Sequence, residues 1–513
     1  MSTLHAGSLL VIVLLVYVIF RWLQSRDLRL PPGPRKLPLI GNLLDMPSGR
    51  DWLTYAKWCR QYDSDIIHLS VAGQSVVVLN SAELASDLLE KKSSIYSSRV
   101  QLTMLHELIG WNHSFTFKPY DAAWRSQRKV FTQTVNPSDA AQFFPHQINA
   151  AHEFLRRLLS SSNLFHDIHH WAAVMIMDIT YGIRGEAADP YISTAIEALD
   201  GVARAATPGA FLVDYLPFLK YVPGWVPGAG FQQKAKKWST SRYDMTEKPF
   251  QAAKRQIATG VYTPSLISSA LANMDLAQDI SIQEDVMKGV AVTCYGAGFD
   301  TIVATLAAFI LAMLLHPEVQ TSAQQELDKV LGEGDLPTFN DEPSLPYITA
   351  LVKEVLRYSP AIPLGVPHLS EEDDTHDGYW IPKGSIVIAN SWSMLHNEET
   401  YPDPSSFNPA RFLTTDGKLN PECKDPATAA FGFGRRICPG RHFAISAVWI
   451  AVASILATYN ITKDVDADGK VIEPSGEWSH GSTLFNHPLP FKCTFTPRSK
   501  AAEVAIRATG EDP

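Results

Sequence analysis

From Ser281 to His316 the chain runs about 36 residues without a proline, and Pro317 ends the run. The rest of the sequence is rich in proline, with 34 spread along it. So long an unbroken stretch predicts a single helix of roughly 50 Å, at ~1.5 Å per residue. After Val286 it is apolar, so the helix is expected to cross the core. A chain of 513 residues with 46% hydrophobic content can build a core that large. Length alone suggests roughly three domains. Beyond Asn42, however, the sequence shows no linker, internal repeat or low-complexity segment, and one domain over 47–497 is more economical.

The other periodic segments are shorter. "SVVVLN" (Ser75–Asn80) and "GSIVIAN" (Gly384–Asn390) are β-branched and bounded by turn residues, which predicts strands. Tyr347–Tyr358, between Pro346 and Pro360, predicts a second helix. The expected class is mainly α with small β-sheets.

Leu9–Phe20 is an uninterrupted apolar run. With its flanks it approaches the ~17–25 residues of a spanning helix. The alternative is a cleaved signal peptide, but a charged leader and a small-residue cleavage site are both missing. Arg21, Arg26, Arg29, Arg35 and Lys36 follow the run, and positive charge there holds the C-terminal side in the cytosol. Residues 1–29 are therefore expected to be a transmembrane anchor with a basic flank. Residues 30–46, with "LPPGPRKLPLIGN", are expected to be a proline-rich hinge. Residues 498–513 read as a polar C-terminal tail.

A net charge of −9 and a pI near 6.0 argue against a nucleic-acid partner. The five cysteines, Cys59, Cys294, Cys423, Cys438 and Cys493, are odd in number, and none forms a C-x-x-C pair. That disfavours a disulfide framework or a zinc site and suits a reducing compartment.

One of these cysteines sits in an unusual setting, "FGFGRRICPG" (Phe431–Gly440). An apolar helical stretch starts near Phe443, so Cys438 lies close to a helix N-terminus, where free N–H groups favour a thiolate. Gly432, Gly434 and Gly440 allow sharp turning and close approach by a flat group. A nucleophile needs a base, and only His442 is local. One cysteine cannot hold zinc, but it can be the single axial ligand of haem iron. On residue chemistry alone, a structural cysteine and a haem ligand both stay open.

The full pattern, Phe431-x-x-Gly434-x-Arg436-x-Cys438-x-Gly440, resembles the haem-ligand signature of the cytochrome P450 family. The resemblance covers nearly the whole chain, including the anchor and the proline hinge. In tone it is similar to fungal microsomal enzymes of secondary metabolism. It implies a cytochrome P450 fold with an N-terminal transmembrane helix, in the endoplasmic reticulum membrane with a cytosolic catalytic domain. It also implies haem b with Cys438 as its proximal thiolate and Arg436 as a cation for a haem propionate.

Further motifs match the same family. Ala297-Gly298-Phe299-Asp300-Thr301 fits its Ala/Gly-Gly-x-Asp/Glu-Thr element on the long helix. By that match Thr301 would hydrogen-bond dioxygen and Asp300 would feed protons. Otherwise Thr301 bonds back to a carbonyl one turn earlier. Ile302 stands where the family often has a second hydroxyl, which weakens any relay beyond Thr301. Glu354 and Arg357, at i, i+3, would form a structural clamp with Arg411. Trp124 and Arg128 have the Trp-x-x-x-Arg spacing of propionate holders, and Arg99 and His368 sit where further propionate partners are often placed. Gln101–Phe117, Phe299, Ala361–Gly365 and Ser482–Phe485 are the expected pocket segments. Phe211–Phe231, aromatic and rich in proline and glycine, reads as core packing or as a membrane-dipping entrance loop.

The reading is a membrane-anchored monooxygenase that inserts one atom of O₂ into a lipophilic small molecule. Electrons would come from NADPH through a separate reductase, with cytochrome b5 as an alternative donor, since no G-x-G-x-x-G fingerprint is fused to the chain. Two rivals are a reductase-independent haem isomerase or dehydratase of the same fold, and a non-catalytic haem-binding protein.

Overall fold

The computed structural model describes residues 29–510 apart from 48, 136–140, 208 and 480–483. The expected anchor over 1–28 therefore lies outside the described residues, as do residues 482 and 483 of the last pocket segment.

Helices dominate, and one of them, Ile280–Leu315, is 36 residues long. Its start is set by Asp279, whose carboxylate accepts from Ser281 N at 2.8 Å. Its end is set by His316 and Pro317, where the next helix begins. From Met287 onward most of its residues are buried. It packs on helices Ala122–Thr134, Leu164–Tyr181, Gly230–Ala258 and Arg441–Thr458. At Gly289 the crossing is so close that a Cβ would lie 1.9 Å from Gln127 Nε2 and 2.6 Å from His113 O. The Ile280–Leu315 and Arg441–Thr458 helices are long and apolar enough to cross a membrane, yet most of each apolar stretch is buried inside the fold, as a core helix is.

Nine strands are described: β1 Ile66–Val71, β2 Gln74–Leu79, β3 Ser98–Arg99, β4 His368–Leu369, β5 Asp374–His376, β6 Tyr379–Ile381, β7 Ile386–Ala389, β8 Tyr459–Lys463 and β9 Cys493–Pro497. The main sheet runs β1-β2-β7-β4-β3. Its β2–β7 pair is parallel and aligns Val76 with Ile386, joining distant parts of the chain. The β3–β4 pair is short but sets Arg99 opposite His368. The proline-rich segment lies along β1: Pro32 O accepts from His68 N, and Ile40 O from Ala72 N. Asn42 is buried, and its Oδ1 accepts from Ser70 N. The segment is thus sewn to the sheet.

Within the stretch read as a polar tail, Lys500–Ala508 is a helix capped by Ser499. Ile506 on it is fully buried, so this end of the chain is docked on the core.

Candidate active site

A cavity of about 290 Å³ lies between the long helix and the Phe431–Gly440 turn. Thr293, Ala297, Gly298, Thr301 and Thr305 line it from the long helix, and Cys438, Pro439 and Gly440 line it from the turn. Cys438 and Thr301 thus share one cavity but come from different elements.

Local hydrogen bonding explains the turn. Cys438 N donates to Phe431 O at 2.8 Å and closes it. Gly434 has φ +56°, and a Cβ there would sit 2.1 Å from Leu89 O, so both conformation and space demand glycine. Gly440 is the N-cap of Arg441–Thr458. The thiol does not behave as the helix terminus alone would suggest. Burial pushes its pKa up, against the opposing pull of the Gly440 N–H and the Arg128 and Arg441 charges. Binding to a metal ion would remove its proton.

Cations gather at one end of the cavity. Arg436 is buried with its guanidinium 4.5 Å from the Trp124 ring. It donates to Ser97 O, Phe115 O and Lys118 O. Arg128 donates to Ile437 O at 2.9 Å. Arg99 donates to Val366 O and Pro367 O, while its buried Nε has no partner among the described residues. His368 donates from Nδ1 to Tyr96 O at 2.6 Å. Among the described residues, none of these four groups is paired with a carboxylate. Burial, aided by the neighbouring Arg128 charge, pulls the Arg436 pKa down to about 9. Burial and Arg99 push His368 far below the usual histidine range. Buried cations without a counter-anion are costly, so this end of the cavity fits an anionic ligand.

The long helix shows the back-bonded form of Thr301: its hydroxyl donates to Ala297 O at 2.8 Å while still lining the cavity. Asp300 is not among the lining residues. Its Oδ2 meets His487 Nε2 at 3.2 Å instead. Phe299 also turns away from the cavity: it is buried and packs on His169 and Tyr295. Of the other expected pocket segments, Phe115, Thr116, Ala361, Ile362, Leu364 and Gly365 do line the cavity. His487 was not foreseen. A lone histidine in "FNHPLP" carries no signal of an acid some 190 positions earlier.

Glu354 and Arg357 are both fully buried. Arg357 binds the carboxylate through two bonds, at 2.7 and 2.8 Å. Arg411 Nε reaches both carboxylate oxygens, at 3.2 and 3.1 Å, and Asn408 N donates to Oε1. The remaining guanidinium donors of Arg357 reach Leu395 O, Pro404 O and Ser406 O. The structure thus brings the three expected partners together in a network with its hydrogen bonds satisfied.

A mainly helical domain whose cavity has Cys438 in its turn and buried cations without carboxylate partners at one end defines a class of protein, one suited to an anionic macrocycle held through a sulfur. A flat ligand with two carboxylates would answer the cations, and iron at its centre would answer the thiol. The residues present fit haem. The Cytochrome P450 family model matches residues 31–495, and the chain belongs to that family, as a monooxygenase. It is 63% identical to Cytochrome P450 monooxygenase 98 of Postia placenta, over 96% of this chain and 94% of that protein. It is 43% identical to Tryptamine 4-monooxygenase of Psilocybe cyanescens, over 93% of this chain and 94% of that one.

Proposed function

We propose that this monooxygenase is anchored in the endoplasmic reticulum membrane by residues 1–29 and oxidises a lipophilic small molecule of fungal secondary metabolism. Residues 30–46 serve as the hinge, 47–497 as the catalytic domain and 498–513 as its polar C-terminal end. NADPH supplies the electrons through a separate reductase, with cytochrome b5 as an alternative donor. The observation that carries the reading is the single cavity lined by both Cys438 and Thr301, with unpaired cations at one end.

When bound, haem supplies the activation of O₂ and the oxygen-atom transfer, chemistry that no side chain here can perform. Cys438 would hold the haem iron through Sγ. Arg99, Arg128, Arg436, Trp124 and His368 would hold the propionates. Glu354, Arg357 and Arg411 lock the surrounding loops so that the cysteine turn stays in place. Apolar residues such as Phe115, Ile362 and Val366 exclude water and suit a lipophilic substrate. Thr301 Oγ1 gives its own proton to Ala297 O and so offers lone pairs to a proton donor in the cavity. Asp300 is the acid from which that proton comes.

Membrane contact draws support from two exposed apolar segments. Leu212, Phe218, Tyr221 and Trp225 are exposed in the entrance loop, and Leu39 and Leu44 in the proline-rich segment. Tyr215 of the loop and Met46 pack on the same hydrophobic cluster. Side chains of this type partition into lipid.

Indole and other aromatic, terpenoid and polyketide skeletons are the substrate classes proposed. Membranes containing the full chain and a reductase, given such a panel, should yield a product one oxygen atom heavier, and only with NADPH. Conversion without NADPH would favour the isomerase or dehydratase reading. Haem binding with no conversion of any scaffold would favour a haem-binding protein.

A further inference from the structure

We propose that His487 is a positioning residue that delivers protons to Asp300, so that the route into the cavity starts at the 484–491 loop. This rests on the reading of Asp300 as the proton-supplying acid. That reading leaves a gap, because Asp300 needs a source of its own. Ile302 weakens the hydroxyl route along the helix, and Asp300 faces away from the cavity toward His487.

The geometry fills the gap. Asp300 and Thr301 are consecutive on a helix, so their side chains diverge by about 100° at 3.6 residues per turn. Thr301 takes the cavity side. Asp300 is left between the cavity wall and an imidazole 3.2 Å away. The two side chains are 16% and 26% exposed, so the histidine is the more open of the pair and can exchange protons with water.

His487 is held where it stands. Asn486 N donates to Ala361 O, and Ser479 N donates to His487 O. Asn486 Nδ2 reaches Ser359 Oγ and Pro360 O. The backbone that carries the ring is thereby fixed to Ala361, Ser359, Pro360 and Ser479. Of the titratable groups that face His487, Asp300 comes from the long helix, and His169, with His166 beyond it, comes from Leu164–Tyr181. His169 gives its Nδ1 proton to Phe165 O, and burial pushes its pKa down, so it is a poor rival donor.

The step is a proton transfer only. Imidazolium Nε2–H passes its proton to Asp300 Oδ2, leaving neutral imidazole and a carboxylic acid. Water returns a proton to the imidazole after the acid has delivered its own toward Thr301.

The test uses full-length holoenzyme with reductase, comparing wild type, His487→Gln, Asp300→Asn and the double variant, with tryptamine as the added probe. NADPH consumed, O₂ consumed and hydrogen peroxide released are measured across the range in which imidazole titrates. General acid transfer contributes ~10²–10⁴-fold. His487→Gln should therefore lose ~10-fold or more of the flux that reaches water or product, and the peroxide share should rise. It should also lose the pH response of that share, and the double variant should be no worse than Asp300→Asn. A second readout is independent of turnover. In the diamagnetic reduced carbonyl complex, the histidine ring signal absent from His487→Gln should move in Asp300→Asn.

If His487→Gln matches wild type at every pH while Asp300→Asn does not, the relay is wrong and the role of Asp300 stands. If both match wild type, the reading of Asp300 fails as well. A raised peroxide share with an unchanged pH response would make His487 merely structural and overturn the proposal.

Discussion

Arg99 and His368 face each other across the β3–β4 ladder, both buried and both at the cavity. A two-residue strand pair in the main sheet thereby delivers a guanidinium and an imidazole to one point. Among the described residues, the Arg99 Nε has no partner of its own.

That relationship gives the first prediction. If Arg99 holds a propionate, Arg99→Ala removes a charge-assisted hydrogen bond of ~1.5–3 kcal/mol. Haem should pass to an apoprotein scavenger ~10–100-fold faster than from wild type, with little change in the unfolding midpoint of the haem-free protein. Unchanged haem loss would mean that Arg99 braces only the Val366–Pro367 backbone.

The clamp makes a stability prediction. Glu354→Ala leaves Arg357, Arg411 and Asn408 N without their shared acceptor. Breaking a buried pair costs ~3–5 kcal/mol. The yield of haem-loaded protein should collapse, and urea unfolding should start at lower concentration. Normal yield and midpoint would show that the backbone carbonyls around the two arginines suffice.

Acid sensitivity follows from two buried histidines. Burial pushes His68 and His396 down to about 3. Both are therefore neutral when folded and charge only on unfolding, where an ordinary histidine titrates near ~6.5. A depressed histidine contributes stability that is present above the unfolded value and is lost as pH falls toward the folded one. Each should cost ~1.4 kcal/mol per pH unit below ~6.5. Denaturant unfolding of His68→Gln at several pH values should show a shallower slope than wild type. An equal slope would mean that His68 is not neutral in the fold.

Much of this was legible in the chain itself. The long helix ends within a residue of its predicted limits, because Asp279 and Pro317 are local signals. Glu354, Arg357 and Arg411 were found because the first two sit at helical spacing and all three belong to short motifs. What could not be read depends on direction and on long-range pairing. Asp300 and Phe299 are next to Thr301 in sequence, yet only helix phase decides which of them sees the cavity. The same holds for His487, which meets Asp300 through a loop that no local pattern places. Pro249 inside the Gly230–Ala258 helix likewise runs against the expectation that proline ends a helix.

Thr301 offers a sharper test of proton handling. Thr301→Ala removes the hydroxyl that bonds Ala297 O. NADPH consumption should continue while product per NADPH falls several-fold and hydrogen peroxide rises, and Thr301→Ser should restore most of the product. An alanine variant with the wild-type ratio would mean that water alone delivers the protons, and that the hydroxyl serves only the helix.

The central claim is that Cys438 is the one sulfur that holds the haem iron, and the reduced carbonyl spectrum measures it directly. Wild-type protein, reduced and exposed to CO, should show the red-shifted Soret band that a thiolate opposite CO produces. Cys438→Ala should lack it, while Cys294→Ala, which changes another cysteine on the same cavity, should keep it. A Cys438→Ala protein that retained the band would contradict the account.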